Sequence, residues 1–596
     1  MFRIAQSFLT MMAPSFSAPP TPRRLMGHHP ARALVAAACC LALCRAARAQ
    51  TPAPHPEQAR ADAILDRMAA HERDLIRRMQ HLQPRLEVYL QDFRSNPNPE
   101  LGSIPVNDRY YLGRLGFSDK QFRLLSFLPR PDARWRRWLG PIGDLLTRPA
   151  FRAWQMNWVP NGFVRMLFPD PAHFDRQHYR FQFVRRGLAG HLTCYIFDVA
   201  PRRRYARGGF MGRIWIEHRH DYLVRYDGVL WGSGWTRRYM HFDGWRVESG
   251  PRLWLPVYIY SEENDFRYGF RRTLRYRAQI RLWGYDLLHA GRRESLTHIR
   301  IEGPQIKDPP PRVQLRSPQH ARQLWEEQAE NNVLDRLERA GLIAPPGPVT
   351  QVLEKVTSNL IVSNNLQLRP EVRCRVLLTT PLESFTIGHT IVLSRGLIDT
   401  LPNEPALAAM LSHELAHIVL DQQISSSYAF TDRMMIPDSM VINQLQLRDT
   451  RREERLAGRR AWQLLEHSPY RAQLAEAGLF MRALQVAGPS LPHLMRPLFG
   501  NRMFHRGQLR RLHQLLAVAT PLQPKNLRQI AALPLGSRIA VNPWTDDLSL
   551  ENHRPIDLFS ARDKMPFELA PLFPVLNRLP QKTASTPSPA RTGVHP

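Results

Sequence analysis

The sequence contains Ala409-Met-Leu-Ser-His413-Glu414-Leu-Ala-His417-Ile-Val-Leu420, an HExxH motif within an apolar helical pattern. Histidines four residues apart lie about 40° from each other around a helix, so His413 and His417 can bind one metal ion together. Zinc suits such a pair because it takes nitrogen and oxygen ligands. Glu414 can accept the proton of a water molecule that attacks a carbonyl group. The motif therefore predicts Zn²⁺ as cofactor and Glu414 as general base.

The residues on both sides of the motif indicate a buried helix. Asn403-Glu404-Pro405 combines an N-cap residue, an acidic first turn and a proline, as helix starts often do. Apolar residues then recur at helical spacing, which argues against the alternative of two solvated surface histidines. Upstream, Phe385–Ser394 is rich in β-branched residues and predicts one strand, whose edge can pair with an extended peptide.

A later helical segment, Thr450–Leu465, offers an acidic third ligand. Counted from Glu453, small and apolar residues follow at helical spacing. This places Glu453 on the buried face, where an acid needs a partner such as a metal ion. Glu454 points about 100° away and is the alternative ligand. A pair of exposed acids among arginines would give the same pattern without a metal. We predict Glu453 as the third ligand.

The sequence GHTIVLSRGLIDTLPNEPALAAMLSHELAH, residues 388–417, resembles the strand, Arg-Gly-Leu turn and zinc helix of HtpX-like and CAAX-prenyl-protease-like gluzincin metallopeptidases. The resemblance extends over about residues 325–515. It implies that both histidines of the motif bind zinc, that Glu414 is the general base and that Glu453 is the third ligand. The chain departs from the family at Glu454-Arg455, where Ala-Asp is usual.

The same family often has a His-Pro pair followed by an arginine near the end of the domain. Here His505 and Arg511 keep the six-residue spacing, although Arg506 replaces the proline. The resemblance implies that His505 or Arg511 stabilises the oxyanion of a tetrahedral intermediate. A basic helix on the surface is the alternative interpretation.

The N-terminus has the composition of a secretory signal. Basic residues precede the apolar run Arg32–Cys44, and Ala47-Arg-Ala49 follows as a small-residue cleavage site. The run is too short to anchor the mature chain, and no other run approaches the about 18 apolar residues that a membrane span requires. We therefore predict a signal peptide at 1–49 and export of the mature chain to the periplasm or cell envelope.

The formal net charge of +30 suggests nucleic-acid partners at first sight. However, 76 of the 82 basic residues are arginines spread through every segment, and no nucleic-acid motif accompanies them. We predict no nucleic-acid partner. A basic surface suits anionic headgroups, so peripheral contact with a membrane or with lipoproteins stays open, as does the oligomeric state. Beyond the signal, Cys194 and Cys374 can form a disulfide in an oxidising compartment or stay free thiols.

Short alternating strands recur between about residues 179 and 287 and predict an antiparallel sheet. The sequences GRIWIEHRHDYLVRYDG (212–228) and LWLPVYIY (253–260) resemble outer-membrane lipoprotein-sorting (LolA-like) half-barrels. The resemblance implies a concave apolar face for an acyl chain or a peptide. The alternative is a sheet whose aromatic residues fill its own core.

The predicted fold class is α+β, with an antiparallel half-barrel-like β domain followed by a mostly helical zincin-type metallopeptidase domain. These features together predict an exported zinc-dependent endopeptidase that acts on polypeptides in quality control or maturation of the cell envelope. The alternative is a non-catalytic envelope chaperone or a lipid- or lipoprotein-binding protein with a structural or inert metal site. The predicted segments are the signal (1–49), a β-rich LolA-like domain with an N-terminal helix (50–305), a Pro-rich linker (306–318), the zinc metallopeptidase domain (319–515), a C-terminal extension that packs on it (516–580) and a disordered tail (581–596).

Overall fold

The structure is a computed structural model. The chain divides into two compact units, Met1–Asp62 and Ala63–Pro596. The described part of the first unit is the beginning of one helix, and all contacts given below lie within the second unit. The predicted signal peptide, the linker up to residue 317 and the predicted tail lie outside the described residues. The described residues are 56–95, 103–118, 121–127, 161–189, 192–202, 208–230, 240–250, 252–263, 276–285, 318–422, 424–425, 428, 445, 447–505, 508–522, 539–541 and 547–550.

A ten-stranded antiparallel sheet follows the first helix. Its strands are β1 (Arg85–Ser95), β2 (Ser103–Ser118), β3 (Gln121–Ser126), β4 (Tyr179–Ala189), β5 (Leu192–Pro201), β6 (Phe210–Glu217), β7 (Leu223–Leu230), β8 (Met240–Gly250), β9 (Leu253–Glu263) and β10 (Tyr276–Trp283). The strand order is β3-β2-β1-β10-β9-β8-β7-β6-β5-β4, so the sheet is open and its edges are β3 and β4. The predicted antiparallel sheet is confirmed, whereas the sequence did not single out β2 and β3.

Helix α1 (Pro56–Leu82) is tied to the sheet by a buried ion pair. Arg246 Nη2 donates to Glu72 Oε2 at 2.8 Å, and Arg246 Nη1 donates to the other carboxylate oxygen. Tyr226 on the neighbouring strand packs edge-on against Phe242, and its hydroxyl donates to the carbonyl oxygen of Leu167 at 2.7 Å. These contacts match the alternative in which the sheet's aromatic residues fill its own core.

The C-terminal part of the described chain contains most of the helices and a small three-stranded sheet. None of the described helices has the length and apolar character needed to cross a membrane. The short helix α2 (Asn161–Val164) lies between β3 and β4 in the sequence. The later helices are α3 (Pro318–Arg339), α4 (Pro348–Ser363), α5 (Arg395–Thr400), α6 (Glu404–Val419), α7 (Arg451–Glu466), α8 (Leu474–Ala487) and α9 (Gln514–Val518). The later strands are β11 (Arg373–Leu377), β12 (Ser384–Ile387), β13 (Thr390–Ser394), β14 (Phe504–His505), β15 (Gln508–Leu509), β16 (Ile539–Val541) and β17 (Leu548–Leu550).

The segment Phe385–Ser394, which the sequence predicts as one strand, is a hairpin of β12 and β13. Gly388 forms the turn with φ of +56°, a left-handed conformation that L side chains rarely adopt. β-branched residues on both sides of Gly388 match one continuous strand, so the sequence did not predict this turn. The three-stranded sheet has the order β11-β13-β12, which makes β12 an edge strand.

Two buried carboxylates connect the large sheet to the helical part. Glu87 on β1 accepts hydrogen bonds from the Thr380 backbone N–H at 2.7 Å and from the Tyr110 hydroxyl at 2.8 Å. Asp108 on β2 accepts one from the Leu494 backbone N–H at 2.7 Å. The sheet therefore holds two backbone segments that lie a few residues from the site described below.

Both cysteines outside the predicted signal are buried free thiols. Burial raises the pKa of Cys194 to about 11 and that of Cys374 to about 12. The structure therefore agrees with the free-thiol alternative and not with a disulfide.

Two helical glycines give a matched pair of stability predictions. A Cβ on Gly396 would overlap the carbonyl oxygen of Thr380, whereas the nearest atom to a Cβ on Gly458 is the backbone nitrogen of Leu512 at 3.9 Å. We expect Gly396→Ala to cost about 1–3 kcal/mol. Gly458→Ala should stabilise the protein by about 0.5–1 kcal/mol, because alanine loses less backbone freedom on folding. Thermal unfolding midpoints test this, and shifts of the same sign in both variants would contradict it.

Candidate metal centre

Helix α6 carries the HExxH motif into the core. Asn403 caps the helix by accepting a hydrogen bond from the Ala406 backbone N–H at 3.1 Å. Exposure is 1% for His413 and 0% for both Glu414 and His417, so solvent does not satisfy these polar groups. Polar side chains buried on an apolar helix need partners of their own.

Three ligand atoms converge beside this helix. His413 Nε2 lies 3.3 Å from His417 Nε2 and 3.2 Å from Glu454 Oε2. All three residues offer ligand atoms within 4.8 Å of one another. Two ligands of a tetrahedral zinc ion are separated by about 3.3 Å, as follows from the usual zinc–nitrogen and zinc–oxygen distances. The spacing and the nitrogen and oxygen donors therefore fit a zinc ion.

The structure brings Glu454, not Glu453, to the two histidines. Glu453 belongs to a capping box at the start of α7, where its side chain accepts from the Thr450 backbone N–H at 2.6 Å. Thr450 Oγ1 in turn accepts from the Glu453 backbone N–H at 3.3 Å. Glu453, the predicted third ligand, thus caps the N-terminus of its own helix, and Glu454, the alternative, lies beside the two histidines.

The buried face of α7 explains this difference of one residue. The small residues that pointed to Glu453 lie three, four and seven positions after Glu454, which is also helical spacing. Trp462, which lies nine positions after Glu453, is only half-buried. The buried residues of α7 are Glu454, Ala457, Gly458, Ala461, Leu464 and Leu465.

Glu454 is held by two further side chains. Asn501 Nδ2 donates to Glu454 Oε1 at 2.7 Å and to the Asp449 carbonyl oxygen at 3.1 Å. Arg511 Nη2 donates to the same Glu454 oxygen at 2.8 Å. Although burial raises the pKa of Glu454, the Arg511 charge and the His413 hydrogen bond outweigh it and hold that pKa well below its ordinary value. Glu454 is therefore a carboxylate, the form that binds a metal ion.

The histidines differ in their second nitrogens. His417 Nδ1 forms a short hydrogen bond with Gln422 Oε1 and lies 3.8 Å from Asp449 Oδ2. A proton on Nδ1 leaves Nε2 with the lone pair that a metal needs. His413 Nδ1 is buried and has no hydrogen-bond partner among the described residues. Burial lowers the pKa of His413, which favours the neutral imidazole.

Glu414 presents one fixed and one free carboxylate oxygen. Oε1 accepts from Ser384 Oγ at 2.7 Å and from Arg511 Nη1 at 2.8 Å. Oε2 is buried and has no hydrogen-bond partner in the described part of the chain. A carboxylate fixed through one oxygen leaves the other available to accept a proton.

The two residues predicted to stabilise an oxyanion have different outcomes. His505 lies in β14, and its side chain falls outside what the structure describes. Arg511 reaches the site, but its donors contact the protein's own carboxylates, Glu414 and Glu454. These two contacts suit a residue that orients the carboxylates. Ser384, which donates to Glu414, was not predicted, because no sequence motif marks it.

We expect Arg511→Met to destabilise the zinc-free protein by about 3 kcal/mol, because two buried carboxylates lose their shared cation. Pairing with Arg511 lowers the pKa of Glu454. The stability that this pair contributes is therefore complete above the ordinary glutamate pKa of about 4.3, and it is lost as the pH falls from there through the lower pKa of the folded protein. Thermal unfolding at pH 7 and pH 3.5 measures both effects. Arg459→Met, an exposed change on α7, is the control. Equal shifts in the two variants at pH 7 would exclude this role for Arg511.

Residues 349–464 match the model of Peptidase family M48. The matched range contains the HExxH motif and both candidate acids of α7. The predicted resemblance to HtpX-like and CAAX-prenyl-protease-like peptidases is thereby confirmed, and the chain contains a peptidase M48 domain. No curated protein matches the chain.

Among solved structures, the chain is similar to a LolA superfamily protein from Nitrosomonas europaea, with 12% identity and a TM-score of 0.16 over 37% of this chain and 90% of that one. It is also similar to a DUF1329 family protein from Desulfovibrio piger, with 13% identity and a TM-score of 0.19 over 37% of this chain and 93% of that one. Values this low assign no function to the N-terminal sheet.

Proposed function

We propose that this protein is a zinc-dependent endopeptidase that hydrolyses polypeptides. The observation that carries the proposal is the convergence of His413, His417 and Glu454 beside the unpartnered oxygen of Glu414. The M48 match over 349–464 supports peptide hydrolysis as the reaction. When bound, zinc lowers the pKa of water and polarises a peptide carbonyl.

The protein's own residues handle the proton. Glu414 Oε2 accepts it from the attacking water and returns it to the leaving amine. Ser384 and Arg511 hold Glu414 Oε1, so the carboxylate keeps one orientation during this transfer. Gln422 similarly fixes the ring of His417. Such outer contacts set the geometry of a metal site and of its general base.

The peptide substrate is proposed to add to the edge strand β12. This strand begins at Ser384, whose hydroxyl touches Glu414. Within the described residues β12 pairs with a strand only on its β13 side. An extended peptide can bind such an edge through main-chain hydrogen bonds, which requires little of its sequence.

Zinc content and proteolysis test the proposed function together. The purified mature chain should contain one equivalent of zinc by elemental analysis and should cleave unfolded casein. Removal of zinc by a chelator should abolish cleavage, and added zinc should restore it. Zinc binding without cleavage of any polypeptide would favour the alternative of an inert or structural metal site.

We also propose that the protein acts in the cell envelope, in the quality control or maturation of exported proteins. The support is the sequence of the N-terminus, with basic residues, a short apolar run and the Ala47-Arg-Ala49 cleavage site. Contact with membranes or lipoproteins would be peripheral. A mature N-terminus at about residue 50 in a periplasmic fraction is the expected result, and an uncleaved chain in the cytoplasm would contradict it.

A further inference from the structure

A cavity of about 190 Å³ adjoins the candidate metal centre. Glu454 belongs both to this cavity and to the three converging ligand residues. The space is large enough for one amino-acid side chain. Besides Glu454, it is lined by Arg448, Asp449, Arg451, Asn501, Arg502 and Arg510.

We propose that this basic cavity binds a carboxylate of the peptide substrate and makes the enzyme selective for acidic residues close to the scissile bond. The inference rests on the proposed peptidase function and names the substrate class for the same site. The carboxylate can belong to an Asp or Glu side chain or to a free C-terminus, since a guanidinium binds either through two parallel hydrogen bonds.

Arginines outnumber acids around the cavity, four to two. In the part of the chain that the structure describes, none of Arg448, Arg451, Arg502 and Arg510 forms a salt bridge. The two acids have contacts of their own: Glu454 pairs with Arg511, and Asp449 accepts a hydrogen bond from Asn501, which also lines the cavity. The resulting excess of positive charge favours an additional anion in the cavity.

Two further observations agree with a positive electrostatic potential in the cavity. Burial and the charges of Arg496 and Arg448 lower the pKa of Arg502, as expected for a cation among cations. Arg451 is the first residue of α7, so the positive end of the helix dipole also faces this region.

Arg502 in addition lines a neighbouring cavity of about 350 Å³ with the apolar residues Met495 and Phe504. An apolar substrate residue beside the acidic one would fit this second cavity.

Matched fluorogenic peptides test the proposal in the zinc-loaded protein. One series carries Glu, and the other carries Gln, at successive positions on both sides of the scissile bond, all with amidated C-termini. A third set carries Gln and a free C-terminal carboxylate next to the cleaved bond, which separates the two sources of the carboxylate. We expect kcat/KM to be roughly tenfold higher for Glu than for Gln at one position, and the ratio to fall with added salt.

The double variant Arg448→Gln/Arg502→Gln should reduce this Glu-to-Gln ratio toward one. Arg459→Gln removes the same kind of charge from the exposed side of α7 and should leave the ratio unchanged. Peptides that are all cleaved without an acidic preference, or a ratio that the double variant retains, would overturn the proposal.

A binding measurement separates this inference from the proposed function. Fluorescence anisotropy of labelled Glu and Gln peptides with the zinc-loaded Glu414→Gln protein reports recognition without turnover. Tighter binding of the Glu peptide, weakened by the double variant, supports the cavity even if no peptide is hydrolysed. Equal binding of both peptides rejects it even if casein is cleaved.

Discussion

Glu414→Gln should lower the turnover of a peptide substrate by roughly a thousandfold while the protein keeps its zinc. Glutamine has the shape of glutamate, and its carbonyl oxygen can still accept from Ser384 and Arg511. Its amide nitrogen, placed where Oε2 has no protein partner, cannot accept a proton from water. Zinc binding should persist because Glu414 is not one of the three converging ligand residues.

The measurement is zinc content and kcat on the same preparation. Glu404→Gln is the matched control, since it makes the same chemical change in the first turn of the same helix, where Glu404 accepts from Tyr470. It should retain zinc and turnover. His417→Ala should lose zinc and activity together. Wild-type turnover in Glu414→Gln would eliminate Glu414 as the general base.

The local part of the site was predictable because it depends on one helix. Four-residue spacing on a helix brings His413 and His417 together whatever surrounds them, and the structure places them 3.3 Å apart. Arg511 was found only through its spacing in the family. Ser384 and Asn501 carry no local signal, because their contacts with Glu414 and Glu454 arise from tertiary packing.

The same distinction applies to the fold. Alternating residues predicted several strands of the large sheet, since a half-buried strand needs only a period of two. Alternation does not specify strand order, and β1 pairs with β10, with Arg85 opposite Trp283. That pairing joins residues far apart in the chain, which no short sequence window contains. The Gly388 turn was missed because β-branched residues on both sides matched a single strand.

The third ligand shows how a local signal can be overlooked. Thr450-Arg-Arg-Glu453 has the sequence of a capping box, in which the fourth residue bonds back to the first. That pattern predicts that Glu453 caps the N-terminus of α7, so Glu454 is the acid that remains for the protein interior. Spacing of small residues alone suits both acids, because their positions differ by only one residue.

Glu454→Gln should weaken zinc binding by more than roughly a hundredfold, because a neutral amide is a poor ligand where a carboxylate is required. The loss should be complete enough to abolish peptide hydrolysis at micromolar zinc. Asn501 and Arg511 would still contact the side chain, so the fold should persist. Competition with a chelator of known affinity gives the zinc Kd, and thermal unfolding of the zinc-free protein reports folding.

Glu453→Gln is the control for this prediction, since glutamine also serves at the fourth position of a capping box. Its zinc Kd should stay within about threefold of the wild type, because Glu453 contacts Thr450 and not the histidines. The pair of variants differs only in which adjacent carboxylate is neutralised, so the comparison isolates the helical register. A site emptied by Glu453→Gln and retained by Glu454→Gln would place the ligand one residue earlier and contradict the geometry of α7.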